Sequence, residues 1–256
     1  MELQAIIFDV DGTVAETADL HRAAFNLAFQ EHGLSWHWDR EIYSQLAPVE
    51  RSLAKLRLFA AATRQSGYQH GPSHTDIVKI STRKAQIFCQ MAREGKARLR
   101  PGVARLMQES LHEGLLLGAV STSSRAETHA LLSATLGFQG IGWITSLKTA
   151  EDTPIDASKR ALFQSVLDDF AIQPHRAVAI DDSVKGANSA VRAGIAVLVT
   201  PSMYTASHRF EMASVTLSDL GHPTEPFTVI NGETMGHTCV SPAMLRQIIG
   251  LKAAAA

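Results

Sequence analysis

The sequence predicts an α/β fold: a doubly wound, mainly parallel sheet with a small helical domain inserted near its start. Three observations carry this reading. Apolar runs of four to six residues are continuous rather than alternating, as in strands covered on both faces. These runs alternate with segments of helical period, the pattern of βαβ units. Each run also ends in a group of polar residues.

Taken in order, the first run, Ala5–Phe8, leads into Asp9-Val10-Asp11-Gly12-Thr13. From about Thr17 to Lys96 the chain is helical in pattern and lacks strong strands. Leu20, Ala24, Leu27 and Glu31 follow a helical period there, with Phe25 and Phe29 alongside, and Gly33 stops the helix. A Gly/Pro/His loop from Gly67 to Ser73 precedes a second helical pattern over Thr75–Arg93. The expected organisation is therefore a core of residues 1–15 and 97–256, interrupted by a helical segment at 16–96.

Beyond it, Val103, Leu106, Met107 and Leu111 mark a helix that Gly114 can close. Leu115–Val120 reads as a strand running into Ser121-Thr122-Ser123-Ser124, followed by a helix over Arg125–Leu136 that ends at Gly137. Ala157–Phe170 has helical period. Ala177–Ile180 is a strand running into Asp181-Asp182-Ser183, and Val184–Ala193 a helix closed by Gly194. Ala196–Val199 runs into Thr200-Pro201-Ser202. In the tail, Phe227–Ile230 is expected as a strand and Ser241–Ile249 as a short helix.

Bulk properties narrow the function. The chain has 256 residues, 45% of them hydrophobic, enough for a sizeable core and a second, smaller domain. A formal net charge of −1 lacks the basic surplus of a nucleic-acid binder. No window is long and apolar enough to span a bilayer, and the N-terminus lacks the features of a signal peptide. Cys89 and Cys239 show no metal-type spacing, and reduced thiols in a cytoplasmic protein are expected. Neither nucleic acid nor membrane is expected as a partner, and the chain is expected as a monomer or small homo-oligomer.

Ligands of doubly wound sheets bind outside the carboxyl ends of the strands. Those ends carry Asp9 and Asp11, the hydroxyl of Thr122, and Asp181 with Asp182. Four carboxylates in one crevice need a cation, and an oxygen-only donor set suits Mg²⁺. No His/Cys cluster favours zinc. An aspartate in such a site can act as nucleophile toward phosphorus. A second carboxylate two residues on can protonate the leaving oxygen and then activate water. A hydroxyl and a lysine would hold the phosphoryl oxygens. An EF-hand reading of Asp9-x-Asp-Gly fails, because Val14 and Leu20 stand where that loop needs Gly and Glu. Gly137, Gly140 and Gly142 lack the spacing of a dinucleotide fingerprint.

Asp9-Val10-Asp11-Gly12-Thr13 after an apolar strand resembles the first motif of the haloacid dehalogenase (HAD) superfamily. Thr122 is similar to its second motif and Asp181-Asp182-Ser183-Val184-Lys185-Gly186 to its fourth. The helical insertion resembles that superfamily's C1-type cap. Glu16–Arg22, Trp36-His37-Trp38 and Val199–Ala206 further resemble the CbbY subgroup, near beta-phosphoglucomutase. That subgroup includes xylulose-1,5-bisphosphate phosphatases. The resemblance implies Asp9 as nucleophile and metal ligand, and Asp11 as general acid/base with its carbonyl on Mg²⁺. It implies Asp182 as a further ligand, Asp181 as a ligand or water-holder, and Thr122 as a phosphate binder with Ser123 beside it. Glu16, His21 and Arg51 are implied on the sugar-phosphate side.

Two departures stand out. Where the superfamily places a lysine in its third motif, this chain has Asp152; either Lys159 at the helix start or Lys148 upstream is left to supply the cation, and Lys159 is preferred. The subgroup's Gly-Gly-Lys-Glu-Arg loop is reduced to Pro48-Val49-Glu50-Arg51. The reading is a Mg²⁺-dependent phosphatase of a small phosphorylated metabolite, acting through an aspartyl-phosphate. A phosphosugar mutase and a weakly active or non-catalytic binding protein remain as alternatives. Trp36 and Trp38 are expected in packing, and His70, His74 and His208 on the surface.

Overall fold

The computed structural model describes residues 2–65, 72–154 and 157–254. Most of the expected loop at 67–73, including His70, lies outside the described residues, as do Ile155 and Asp156. Strand β1 (Ala5–Asp9) is buried at every position, as its unbroken apolar run requires. The other strands are β2 (Ala15–Glu16), β3 (Arg98–Leu99), β4 (Leu116–Val120), β5 (Ser146–Lys148), β6 (Ala177–Asp181), β7 (Ala196–Val199), β8 (Val215–Leu217) and β9 (Val229–Asn231). Among the described residues, seven form one sheet in the order β5-β4-β1-β6-β7-β8-β9. Every pairing is parallel except β8 with β9. The chain builds outward from β1 on one side and returns to build β6 and β7 on the other. The carboxyl end of β1 is therefore the switch point where such sheets open a crevice.

Helices cover both faces. Ile6 and Phe8 join a core with Leu106 and Met107 of α5 (Val103–His112) and Met244, Leu245 and Ile248 of α9 (Pro242–Ala254). Ala5 and Ile7 point the other way, toward α7 (Lys159–Phe170) and α8 (Val184–Arg192). Strand alternation thus sorts one apolar run into two cores. Gly118 in β4 lets α7 approach, since a Cβ there would lie 2.5 Å from Val166 Cγ1.

Antiparallel β2 and β3 form a separate two-stranded ribbon. Between them run α1 (Ala18–Glu31), α2 (Arg40–Leu46), α3 (Ser52–Gln65) and α4 (His74–Arg93). The buried stripe of α1 is Leu20, His21, Ala24, Phe25, Ala28 and Phe29. The stripe expected through Leu27 and Glu31 is displaced there: Leu27 is exposed, and Glu31 pairs with Arg83 on the surface. The cause is Trp38, fully buried against Phe25 and Phe29, which turns the aromatic side of α1 inward. Trp36 stands edge-on to Phe29 and Phe59, so both tryptophans are packing residues. Among the described residues no helix is long and apolar enough to cross a membrane.

Three expected boundaries shift. Helix α6 (Arg125–Ile141) runs beyond Gly137, but that glycine has φ 71° and ψ 179°, which breaks the helix into two pieces. Helix α7 starts at Lys159, not Ala157. The tail strand is Val229–Asn231, antiparallel at the sheet edge.

Gly118→Ala should overpack the β4–α7 contact. Urea unfolding is expected to show a loss of roughly 1–3 kcal/mol.

Candidate active site

Three carboxylates meet at the switch point. Asp9 is the last residue of β1, Asp181 the last of β6, and Asp182 follows it. One oxygen from each lies within 4.8 Å of the others, and all three residues are buried. Lys159, the first residue of α7, reaches in from beneath: its Nζ donates to Asp9 Oδ1 and to Asp181 Oδ2, both at 2.6 Å. The second oxygen of Asp9 accepts from Thr13 Oγ1 at 2.9 Å. Asp181 Oδ1 accepts from the backbone N and hydroxyl of Ser183. Ser183, not either aspartate, caps α8. Gly12, at φ +90°, closes over Asp182; a Cβ there would stand 2.4 Å from Asp182 Oδ2.

Burial and mutual repulsion dominate the electrostatics. Desolvation raises the pKa of Asp9 well above its ordinary value, Asp181 and Asp182 push it further, and Lys159 pulls against them. Asp182 is pushed up to about 7 by burial and by Asp181. Burial alone would lower the Lys159 pKa, but Asp181 and Asp9 raise it, so the ammonium is held charged. Three buried carboxylates around one ammonium form an oxygen-only, over-negative cradle, which fits a hard divalent cation.

The side chain of Asp11 belongs to a different network. Its Oδ1 takes Thr17 Oγ1 at 3.1 Å and His21 Nε2 at 2.9 Å, and its Oδ2 takes the hydroxyls of Ser121 at 2.8 Å and Ser123 at 3.0 Å. Burial would raise its pKa, but His21 and the two serines hold it far below the usual carboxylate range. Behind His21 lies a fully buried ion pair. Lys84 Nζ of α4 sits 2.6 Å from His21 Nδ1 and 2.6 Å from Glu127 Oε1 of α6. An ammonium can only donate, so His21 Nδ1 accepts, and its proton sits on Nε2 facing Asp11.

The remaining sequence candidates fall in different places. Thr122 and Ser123 line a cavity of about 660 Å³ together with Asp9, Asp11, Lys159 and Asp182. Thr122 does not cap α6; Ser124 does, in a capping box with Glu127. His21 and Arg51 also border the cavity. The Nη2 of Arg51, however, is occupied by Thr153 Oγ1 at 3.1 Å and Pro154 O at 2.8 Å. Glu16 lies off the cavity, its carboxylate 3.5 Å from Arg100 Nε. Of the two candidate lysines, Lys159 enters the site and Lys148 pairs with Asp169 at 2.7 Å. Asp152 accepts from Thr149 and from Arg125 outside the cluster.

Sequence reading passed over Ser121, Lys84 and Glu127. Ser121 had a signal, as the first polar residue after an apolar run. Lys84 had one too, since it interrupts the buried stripe Ile77, Ile80, Ile87, Phe88 of α4. Glu127 reads only as a helix cap.

Comparison with known proteins shows the family. Residues 3–194 match the haloacid dehalogenase-like hydrolase family. The CbbY protein encoded on a plasmid of Cupriavidus necator is 35% identical over 224 residues, 88% of each chain. Crystal structures of CbbY from Rhodobacter sphaeroides, one with phosphate and one of a variant with xylulose-(1,5)bisphosphate, are 32% identical. Each superposes with a TM-score of 0.78 over 85% of this chain and 94% of theirs. By family match, identity and fold, the chain belongs to the haloacid dehalogenase-like hydrolases.

Proposed function

We propose that this hydrolase is a Mg²⁺-dependent phosphatase of small sugar phosphates, with a xylulose 1,5-bisphosphate-like ester as its substrate. The observation that carries the reading is the convergence of Asp9, Asp181, Asp182 and Lys159 beside the separately held Asp11. The complex of the Rhodobacter sphaeroides protein supports the choice of substrate. The helices α1–α4, entered and left through the β2–β3 ribbon, act as the cap that covers the crevice.

Asp9, Asp182 and the carbonyl of Asp11 would hold the ion, with Asp181 as a ligand or water-holder. When bound, Mg²⁺ offsets the phosphoryl charge and the excess of carboxylates. Thr13 and Lys159 fix the Asp9 carboxylate, whose oxygen attacks phosphorus. The bond from phosphorus to the sugar oxygen breaks, and Asp11 gives that oxygen a proton. An incoming phosphoryl group beside Asp11 raises its proton affinity, which His21, Ser121 and Ser123 otherwise suppress, and Asp11 takes that proton from solvent as the substrate binds. Left ionised, Asp11 then takes a proton from water as the water attacks the aspartyl-phosphate. The bond from phosphorus to Asp9 breaks, and phosphate leaves. Thr122, Ser123 and Lys159, which line the cavity, bind the transferring group's oxygens.

Asp9→Asn should abolish Mg²⁺-dependent phosphate release from xylulose 1,5-bisphosphate, leaving less than roughly one part in 10³ of kcat. Retained turnover would remove the nucleophile from the scheme. Phosphate appearing on a second sugar oxygen instead of in solution would mark a mutase.

Asp182 has a folded pKa of about 7, above its ordinary value. Its destabilising effect is absent in acid, grows as pH rises from the ordinary carboxylate range to about 7, and is fully present above that. Asp182→Asn should therefore raise the melting temperature of the metal-free protein at pH 8 by roughly 2–4 °C. The same change should remove stabilisation by added Mg²⁺. A lower melting temperature in EDTA would contradict this balance of charges.

A further inference from the structure

Arg100 follows β3 and is buried like Asp9 and Asp182, although its nearest carboxylate, Glu16, is 3.5 Å away and partly solvated. Its guanidinium is spent on backbone. Nη1 donates to Gly12 O and to Thr200 O, the latter at 2.6 Å. Nη2 donates to Pro201 O at 2.8 Å and Ser218 O at 2.9 Å. Its own N–H donates to Val14 O at 2.9 Å. One planar fork thus joins the loops that follow β1, β7 and β8.

Two of those loops form the walls around Asp182. Gly12 packs on its carboxylate with no room for a side chain. On the other side, Ser202 N donates to Thr205 Oγ1 at 2.9 Å, and that hydroxyl donates to Asp182 O at 2.7 Å, with Oδ2 at 3.4 Å. Thr200 N also ties the second loop to Asp181 O at 3.0 Å. The fork holds the Gly12 wall and the Thr200–Pro201 wall at a fixed separation. Lysine, with one nitrogen, cannot span four carbonyls lying in two directions.

We infer that Arg100 is a positioning residue that sets the metal cradle, by clamping the Gly12 and Thr200–Pro201 loops on either side of Asp182. The inference rests on the proposed Mg²⁺ site, and it assigns metal affinity to a side chain that touches neither ion nor substrate. It also gives the β2–β3 ribbon a direct line to the cradle, because Arg100 is the residue next to that ribbon.

The test is ion binding by the metal-free full-length chain, read from the electron paramagnetic resonance of free Mn²⁺ and by Mg²⁺ competition. Arg100→Lys and Arg100→Met should each raise the Mn²⁺ and Mg²⁺ dissociation constants roughly tenfold or more. Thr205→Val should weaken binding too, and its effect combined with Arg100→Lys should be less than additive, because both act on one wall. Leu245→Ala, in the α9 core, should lower stability and leave ion affinity unchanged. A folded Arg100→Lys with wild-type affinity overturns the inference. Should neither Arg100 variant fold, unchanged affinity in Thr205→Val overturns it instead. A wild-type chain that binds neither ion removes the functional reading and this inference together. Wild-type binding with indifferent variants removes this inference alone.

Discussion

The structure is organised around the electrostatic cost of placing Asp9, Asp181 and Asp182 together out of water. Lys159 offsets part of that cost by bridging two of them at 2.6 Å. The bridge accounts for much of the surrounding architecture. Helix α7 must deliver its first residue to the sheet edge, so β4 carries a glycine where α7 crosses it. Strands β1 and β6 must be neighbours, and both must end at the same level. A parallel sheet with a central switch point provides this, because each strand reaches the same edge with its last side chain free.

Asp11 sits two residues from Asp9 yet in a different electrostatic setting. The first carboxylate is raised by burial and like charge, and the second is lowered by His21, Ser121 and Ser123. In the proposed mechanism these opposed proton affinities divide acid, base and nucleophilic roles without any change in residue type. The donors to Asp11 come from the inserted helix α1 and from the loop after β4. Lys84 and Glu127 lock those two parts together through a buried pair. Such a pair contributes less to net stability than to fixing one arrangement of the groups around it.

Much of this was legible in the residue order. The central strands are apolar on both faces, so they announce themselves as unbroken runs, and the acidic residues closing them mark the crevice. The short strands β5 and β8 were not foreseen: three residues long, they owe their conformation to a neighbouring strand and not to local pattern. In α1 the period through Leu20 and Ala24 was legible, but the buried stripe continues through Phe25 and Phe29, packed on Trp38 from a later segment, and leaves Leu27 exposed. Arg51 illustrates the same limit. The resemblance implied a place for it on the substrate side; it borders the cavity, but its Nη2 donates to Thr153 and Pro154, a hundred residues away in sequence. Partnerships formed across the fold leave no periodicity behind. Lys84 is an exception, because a lone cation in an apolar stripe requires a buried anion somewhere.

The paired strands at Ala15–Glu16 and Arg98–Leu99 bring the two ends of the inserted helices side by side. A segment joined in this way behaves like a tile with both edges on one seam. Its length and sequence can be exchanged during evolution without disturbing the register of the sheet below. A lineage can therefore change what the crevice admits while inheriting its acidic floor intact.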